Sequence, residues 1–225
     1  MPKHTQFSPI NGITQLAERL DTHKPRRVPG RRYMARCGVA AVLGERPDLP
    51  GLSVLMMRRA TRSGDPWSGH MSFPGGRMEP GDRDTRMTAM RETVEETGLM
   101  LDSSARIGRL SDVVTRQHAR MRPMIVSPHV FHLAGDDEPQ WRLNHEVAEV
   151  VWVPLAFFAD DRNRQNMHWR TGRLNWQMPC YFYEERRIWG LTLLMLRELL
   201  GISHGVNWRS MRPVRGQMAP DYADD

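Results

Sequence analysis

Cysteine is nearly absent. Cys37 and Cys180 are the only two in 225 residues, and both lie in apolar, strand-like surroundings. A disulfide framework is therefore not expected, and buried free thiols are the default. No stretch approaches the 18 or so apolar residues of a membrane-crossing helix, and the N-terminal residues lack the apolar core of a secretory signal. Together these absences point to a soluble protein with no membrane partner, in a reducing compartment, most simply the cytoplasm. Lysine is scarce as well: Lys3 and Lys24 are the only two, so the 32 basic residues are nearly all arginine. Against 26 acidic residues they leave a net charge of +6, which favours anionic ligands without naming one. The arginines are scattered rather than striped with aromatics, apart from a cluster at Lys24, Arg26, Arg27, Arg31 and Arg32. Nucleic acid is not expected as the main partner.

The 40% hydrophobic content is enough for a core. Residues 9–21 read as a short amphipathic helix with Ile13, Leu16 and Leu20 on one side. A Pro/Arg-rich linker completes an N-terminal segment, 1–33. Arg36–Leu43 and Leu52–Arg58 are paired apolar strands, with Ala105–Val114, Met124–Leu133 and Val147–Val153 as further strands. Pro154–Ala159 begins a short helix. Residues 160–178 are polar and irregular, with Trp169 and Trp176 as hairpin candidates. A last helix is expected over Ile188–Leu200, stopped by Gly201. The main domain is thus 34–203, and 204–225 reads as a loose tail. A mixed sheet between two main helices makes the fold class α/β, an α/β/α sandwich.

One segment stands apart. Phe73-Pro-Gly-Gly-Arg-Met-Glu-Pro-Gly-Asp82 leads into Arg91-Glu-Thr-Val-Glu-Glu-Thr-Gly-Leu99. On a helix, at about 100° per residue, Glu92, Glu95 and Glu96 share a face, flanked by Arg91. An isolated acidic face is usually only solvated. Here a Gly-Gly turn precedes it, where backbone can approach a ligand and a free carbonyl can join a metal shell, and Gly98 stops the helix. Like charges so close oppose helix formation unless they hold a cation, and hard oxygen donors suit Mg²⁺, which shares its shell with water and phosphate oxygens. The chemistry indicated is that of phosphates.

The segment resembles the Nudix box, G-x5-E-x7-R-E-U-x-E-E-x-G-U with U a bulky aliphatic residue. Arg91, Glu92, Glu95, Glu96, Gly98 and Leu99 match its second half. Counting from Gly76, Asp82 stands where the first glutamate falls, eight rather than seven residues then precede Arg91, and Thr93 replaces the first aliphatic residue. The resemblance implies a Nudix-type α/β/α sandwich and Mg²⁺- or Mn²⁺-dependent hydrolysis of a nucleoside diphosphate joined to another group. In that reading Gly76, Glu92, Glu95 and Glu96 hold the metal, and Arg91 orients the carboxylates through the loop acid. Glu92 is the first choice of base and Glu146 the second, with Glu79 and Asp84 as loop or cap residues.

Upstream, Leu55-Met-Met-Arg-Arg-Ala60 and Gly69-His-Met-Ser-Phe-Pro-Gly-Gly76 resemble the segment Leu-Leu-Thr-x-Arg-Ser/Ala, then Gly-x3-Phe-Pro-Gly-Gly, of coenzyme A pyrophosphatases. The shifted Asp82 and Arg187-Ile-Trp-Gly-Leu-Thr192 resemble that branch too. Met57 replaces its threonine, the Ala60–Gly69 gap is one residue longer, and Arg62 lies out of register with its internal arginine. This implies coenzyme A or its thioesters as substrate, split to 3′,5′-ADP and (acyl-)4′-phosphopantetheine. Arg58, Arg59, His70 and Phe73 are the candidate substrate contacts, and Trp67 either stacks on a base or caps the core. NADH, ADP-ribose and oxidised nucleotides remain as other substrates, a nucleotide-binding module without activity as another class, and a homodimer is left open.

Overall fold

The computed structural model describes residues 12–63, 67–116, 123–135, 139–171, 174–205 and 217–218. In chain order the elements are α1 (Gly12–Thr22), β1 (Ala35–Glu45), β2 (Leu52–Arg59), β3 (Met71–Ser72), β4 (Gly75–Arg77), α2 (Thr85–Thr97), β5 (Arg106–Arg109), β6 (Val113–Arg116) and β7 (Pro123–His132). They continue with β8 (Val147–Pro154), α3 (Leu155–Ala159), β9 (Arg164–Thr171), β10 (Leu174–Tyr183), β11 (Arg186–Trp189), α4 (Gly190–His204) and β12 (Gln217–Met218).

The main mixed sheet runs β3-β2-β1-β7-β5, with β4 on β1, β6 on β7 and β8 on β2. Its axis is β1, antiparallel to β2 and β4 and parallel to β7. Alternation along β1 shows why it is central. Cys37, Val39, Ala41 and Leu43 face one core, while Ala40 and Val42 face another. A strand buried on both faces needs an almost unbroken apolar run, and Cys-Gly-Val-Ala-Ala-Val-Leu supplies it. The first core takes Leu16 and Leu20 of α1, Leu155 and Phe158 of α3, and Leu193, Leu196 and Leu199 of α4. The second takes Ala89 of α2, then Leu99, Leu101, Phe131 and Trp152. Gly38 lets α2 approach: a Cβ there would lie 1.8 Å from the Thr85 carbonyl oxygen. Helices on both faces of a mixed sheet make the expected sandwich.

A second sheet, β11-β10-β9-β12, stands beside it. Its β9–β10 hairpin pairs Trp169 with Trp176 along the backbone, as expected of those two residues, but the stretch expected to be irregular forms two strands, paired from Arg164 to Tyr181. Two boundaries differ from expectation. Ile188 and Trp189 lie in β11, opposite Tyr181 and Cys180. The last helix therefore starts at Gly190, passes through a buried Gly201 and ends at Gly205 in the left-handed conformation. The strand expected over Ala105–Val114 is broken at Leu110-Ser111-Asp112. There the carboxylate of Glu198, from α4, accepts the backbone N–H and the hydroxyl of Ser111, and this side-chain competition turns the chain. The tail beyond 205 lies outside the described residues, save Gln217–Met218. Among the described residues no helix is long and apolar enough to cross a membrane.

Candidate active site

Helix α2 displays the acidic residues, and its two ends are set by local chemistry. Asp84, extended at the N-cap, accepts the N–H groups of Arg86 and Met87. Gly98 closes the helix with φ 77°, donating to the Val94 carbonyl. In the space opened by β4, the Gly76 backbone lies against Glu92. A Cβ on Gly76 would fall 2.4 Å from the Glu92 carboxyl carbon, so only glycine leaves room for that carboxylate.

Arg91 organises the face. Its Nε and Nη2 donate to Asp82 Oδ1 and Oδ2 at 3.2 and 3.0 Å, and Nη2 also meets the Arg77 carbonyl at 3.1 Å. The same guanidinium reaches Glu92 at 3.0 Å and Glu95 at 3.1 Å. Asp82 is buried and takes further hydrogen bonds from the Glu79 N–H and the Thr88 hydroxyl, both at 2.9 Å. The Arg91 hydrogen bonds are the first cause that holds its carboxyl down, to about 2.

Glu96 is different. It is 3% exposed, and its Oε2 accepts the Gly75 N–H at 2.8 Å. Burial pushes its carboxyl up to about 8, with the charges of Glu92 and Glu146 adding to the rise and Gly75 N–H and Arg59 opposing it. Burial raises Glu92 as well, against the pull of Arg91. Glu146 reaches this spot because the stretch before β8 is stitched to the end of α2. Arg142 N–H donates to Thr97 O at 2.9 Å, Asn144 N–H donates to Glu96 O at 3.2 Å, and Ala60 N–H donates to Glu146 O at 2.8 Å. Arg62 pairs with Glu146 at 3.4 Å. No periodicity marks residues 142–146, so their attachment to the acidic helix is invisible in the sequence.

The substrate candidates separate. The charge of Arg59 acts on Glu96, so this arginine belongs to the centre. Arg58 is paired with Glu149 of β8 at 3.0 Å, which turns it to a structural contact along the β2–β8 ladder. Phe73 is 2% exposed and packs in the first core, so it secures the Gly-Gly turn from beneath and presents nothing to a ligand. His70 stacks edge-on between Trp67 and Trp189, at 5.8 and 5.1 Å. Near it, Trp67, Trp169, Trp189, Met178, Leu193 and Arg197 help line a cavity of about 270 Å³. Phe73 thus leaves the candidate binding set, and the tryptophans, read singly from sequence, come together.

Among the described residues no three acidic, histidine or cysteine side chains are already gathered as a metal cage. Glu95 is held by Arg91, and Glu96 by the Gly75 N–H. The donors nonetheless suit a hard divalent cation. They are all oxygens, burial raises the proton affinity of both Glu92 and Glu96 and the charge of Glu92 adds to the rise at Glu96, and the Gly76 backbone abuts Glu92.

A model of the NUDIX domain matches residues 34–174. The human mitochondrial coenzyme A diphosphatase NUDT8 is 34% identical over 168 residues, covering 73% of this chain and 69% of that protein. An uncharacterised Nudix hydrolase, NudL of Yersinia pestis, is 29% identical over 153 residues, 67% of this chain and 72% of its own. In fold, the chain is similar to a MutT/nudix family protein of Enterococcus faecalis, with a TM-score of 0.51 at 14% identity, over 83% of this chain and 80% of the other. Since the matched stretch takes in β1, the Gly-Gly turn and the whole of α2, the chain belongs to the Nudix family and is a pyrophosphohydrolase of diphosphate linkages.

Proposed function

We propose that this enzyme hydrolyses the diphosphate of coenzyme A or its thioesters, releasing 3′,5′-ADP and (acyl-)4′-phosphopantetheine, with Mg²⁺ or Mn²⁺ as cofactor. The observation that carries this reading is the 34% identity to a coenzyme A diphosphatase across 73% of the chain. The Leu55–Ala60 and Gly69–Gly76 segments support it, since they run along β2, β3 and β4 up to the acidic helix.

Glu92, Glu95, Glu96 and the Gly76 carbonyl would hold the cation, Glu95 after leaving Arg91. When bound, the cation neutralises phosphate charge and lowers the pKa of water at the site. The chain's own groups do the rest. Arg59 sets a positive charge beside Glu96 for the diphosphate. Arg91, anchored on Asp82, keeps Glu92 and Glu95 aimed. Glu92 would take the proton of the attacking water in this scheme, because it adjoins the cation's other donors at the Gly76 turn and burial raises its basicity; Glu146 is the second choice. The tryptophan-lined cavity suits a part of the substrate remote from the phosphates. A cytoplasmic setting fits two buried free thiols, each pushed up to about 11 by burial.

The test is a mass-resolved product assay with Mg²⁺ and coenzyme A, acetyl-coenzyme A, NADH, ADP-ribose and 8-oxo-dGTP. Release of 3′,5′-ADP with 4′-phosphopantetheine supports the proposal. Turnover of another diphosphate with coenzyme A left intact refutes the substrate while keeping the family chemistry.

A further inference from the structure

A second charged cluster lies at the other end of α2, where its first turn meets β7 and β5. Ser127 and His129 are two residues apart on β7, so they share a face. His129 Nε2 lies 3.0 Å from the hydroxyl of Thr85, the first residue of α2. Arg109 of β5 sits opposite His129 across the strand pair and donates to Ser127 Oγ at 3.2 Å. Arg31, from the segment after α1, donates to the same oxygen at 3.1 Å.

The acids present are already in use. The buried Asp112 pairs with Arg109 and, at 3.6 Å, with Arg31, and it also accepts the Ser127 hydroxyl and the Val28 N–H. Asp84 is occupied by its capping bonds. Arg27, Arg86 and Arg106 add their charges to the same region, where burial and these like charges pull Arg106 and Arg109 below the usual arginine range. Five arginines against Asp84 and Asp112 leave a formal surplus of three positive charges, beside the positive end of a helix dipole.

Four nitrogens there have no hydrogen-bond partner among the described residues: Arg31 Nε, Arg86 Nε, Arg109 Nη1 and His129 Nδ1. Arg109 and His129 are only 6% and 5% exposed. In the tautomer that accepts the Thr85 hydroxyl at Nε2, His129 carries its proton on the orphaned Nδ1. Buried N–H groups are almost always satisfied, so unmet donors amid surplus positive charge suit an anionic partner. The rim is open, since Arg27 and Arg106 are exposed.

We propose that this cluster binds phosphate, either a phosphomonoester group or the inorganic dianion, at a site separate from the glutamate face. A tetrahedral dianion offers enough oxygens for several guanidinium forks and an imidazole N–H, which a halide does not. Arg86 and Glu96 are ten residues apart on one helix, ~15 Å along its axis, so the site is not part of the acidic centre. Its occupant is either the phosphomonoester of a substrate that spans this distance or a free phosphate.

The test is calorimetry of inorganic phosphate into chelator-treated protein at constant ionic strength, with chloride as control. This does not depend on the coenzyme A reading. We expect saturable binding, weakened about tenfold or more in R86Q/R106Q and unchanged in E95Q. Without phosphate, R86Q/R106Q should melt no lower than the wild type, because it removes mutually repelling charges; arginines serving only the fold would give a lower melting temperature. A KM for coenzyme A raised in R86Q/R106Q, with that for 3′-dephospho-coenzyme A unchanged, assigns the site to the substrate's phosphomonoester. Loss of phosphate binding with both KM values unchanged assigns it to free phosphate. No binding beyond the chloride control, or equal binding by wild type and R86Q/R106Q, overturns the proposal.

Discussion

Replacing Asp82 with asparagine tests the organisation of the acidic face at its anchor. The wild-type carboxylate is 8% exposed and gathers two bonds from Arg91, one from the Glu79 N–H and one from the Thr88 hydroxyl. Its folded pKa is held down from 3.8 to about 2, chiefly by Arg91. At 1.36 kcal/mol per pH unit this shift is worth about 2 to 3 kcal/mol. Because the folded pKa is the lower one, that stability is fully present above pH 3.8 and is lost as pH falls towards 2. D82N should therefore unfold about 2 to 3 kcal/mol more easily at pH 7 in urea titrations, and its acid-denaturation profile should lack the part of the slope between roughly pH 4 and 2. Activity should fall further than stability alone explains, because Arg91 also holds Glu92 and Glu95. A kcat lower by about 10- to 100-fold with KM nearly unchanged is expected for a lost orienting contact. A D82N protein within about 0.5 kcal/mol of the wild type at pH 7 would show that the clamp is a surface pair of little consequence.

Other perturbations probe the remaining parts. Gly76→Ala places a methyl 2.4 Å from the Glu92 carboxyl, the movable end of a side chain, so circular dichroism and melting should change little while turnover drops at least about 100-fold. Gly38→Ala instead meets the Thr85 backbone carbonyl at 1.8 Å, so it should lose more than about 3 kcal/mol or fail to fold. In chelator-treated protein, Glu96→Gln should be the more stable form above pH 4.5. A folded carboxyl raised to about 8 costs stability progressively from pH 4.5 to 8, of order 3 kcal/mol at pH 7, and urea titrations across that range will read it. Deleting residues 1–33 removes Leu16 and Leu20, which are 1% and 4% exposed in the core. At about 1.5 to 3 kcal/mol each, the shortened chain should melt far below the full one.

What the sequence discloses here is local. Asp84 as cap, Gly98 as stop and the glutamate spacing between them are chemistry within one helix, and α2 forms where those signals stand. The alternation buried in β1 is equally readable, because a strand covered on both faces has no polar side to display. Contacts between distant segments leave no such trace. Nothing in Asn144-His-Glu146 announces that it will be tied to Glu96, and nothing in Glu198 announces that it will receive His23 at 3.0 Å and the turn at Ser111. Ile188 and Trp189 fit the apolar rhythm of the helix that follows. Pairing with Tyr181 and Cys180 claims them for β11, and Gly190 at φ 63° makes the corner.

The extra residue between Asp82 and Arg91 shows where an irregular motif can absorb a change without losing its chemistry. Arg91, Glu92, Glu95 and Glu96 lie within one unbroken helix that begins at Thr85. An insertion between Thr85 and Arg91 would turn the arginine about 100° against the helix face built before it, whereas one ahead of the Asp84 cap leaves every helical residue in phase. The Met78–Asp84 stretch is non-helical, so it takes the longer path without shifting the phase of the helix. Its fixed requirement is that Asp82 arrive beneath Arg91. The Glu79 N–H and the Thr88 hydroxyl bring it there, one from the loop and one from the helix. Spacing therefore constrains the carboxylates strictly inside α2 and only loosely before it, and the aspartate separated from Arg91 by eight residues still meets it.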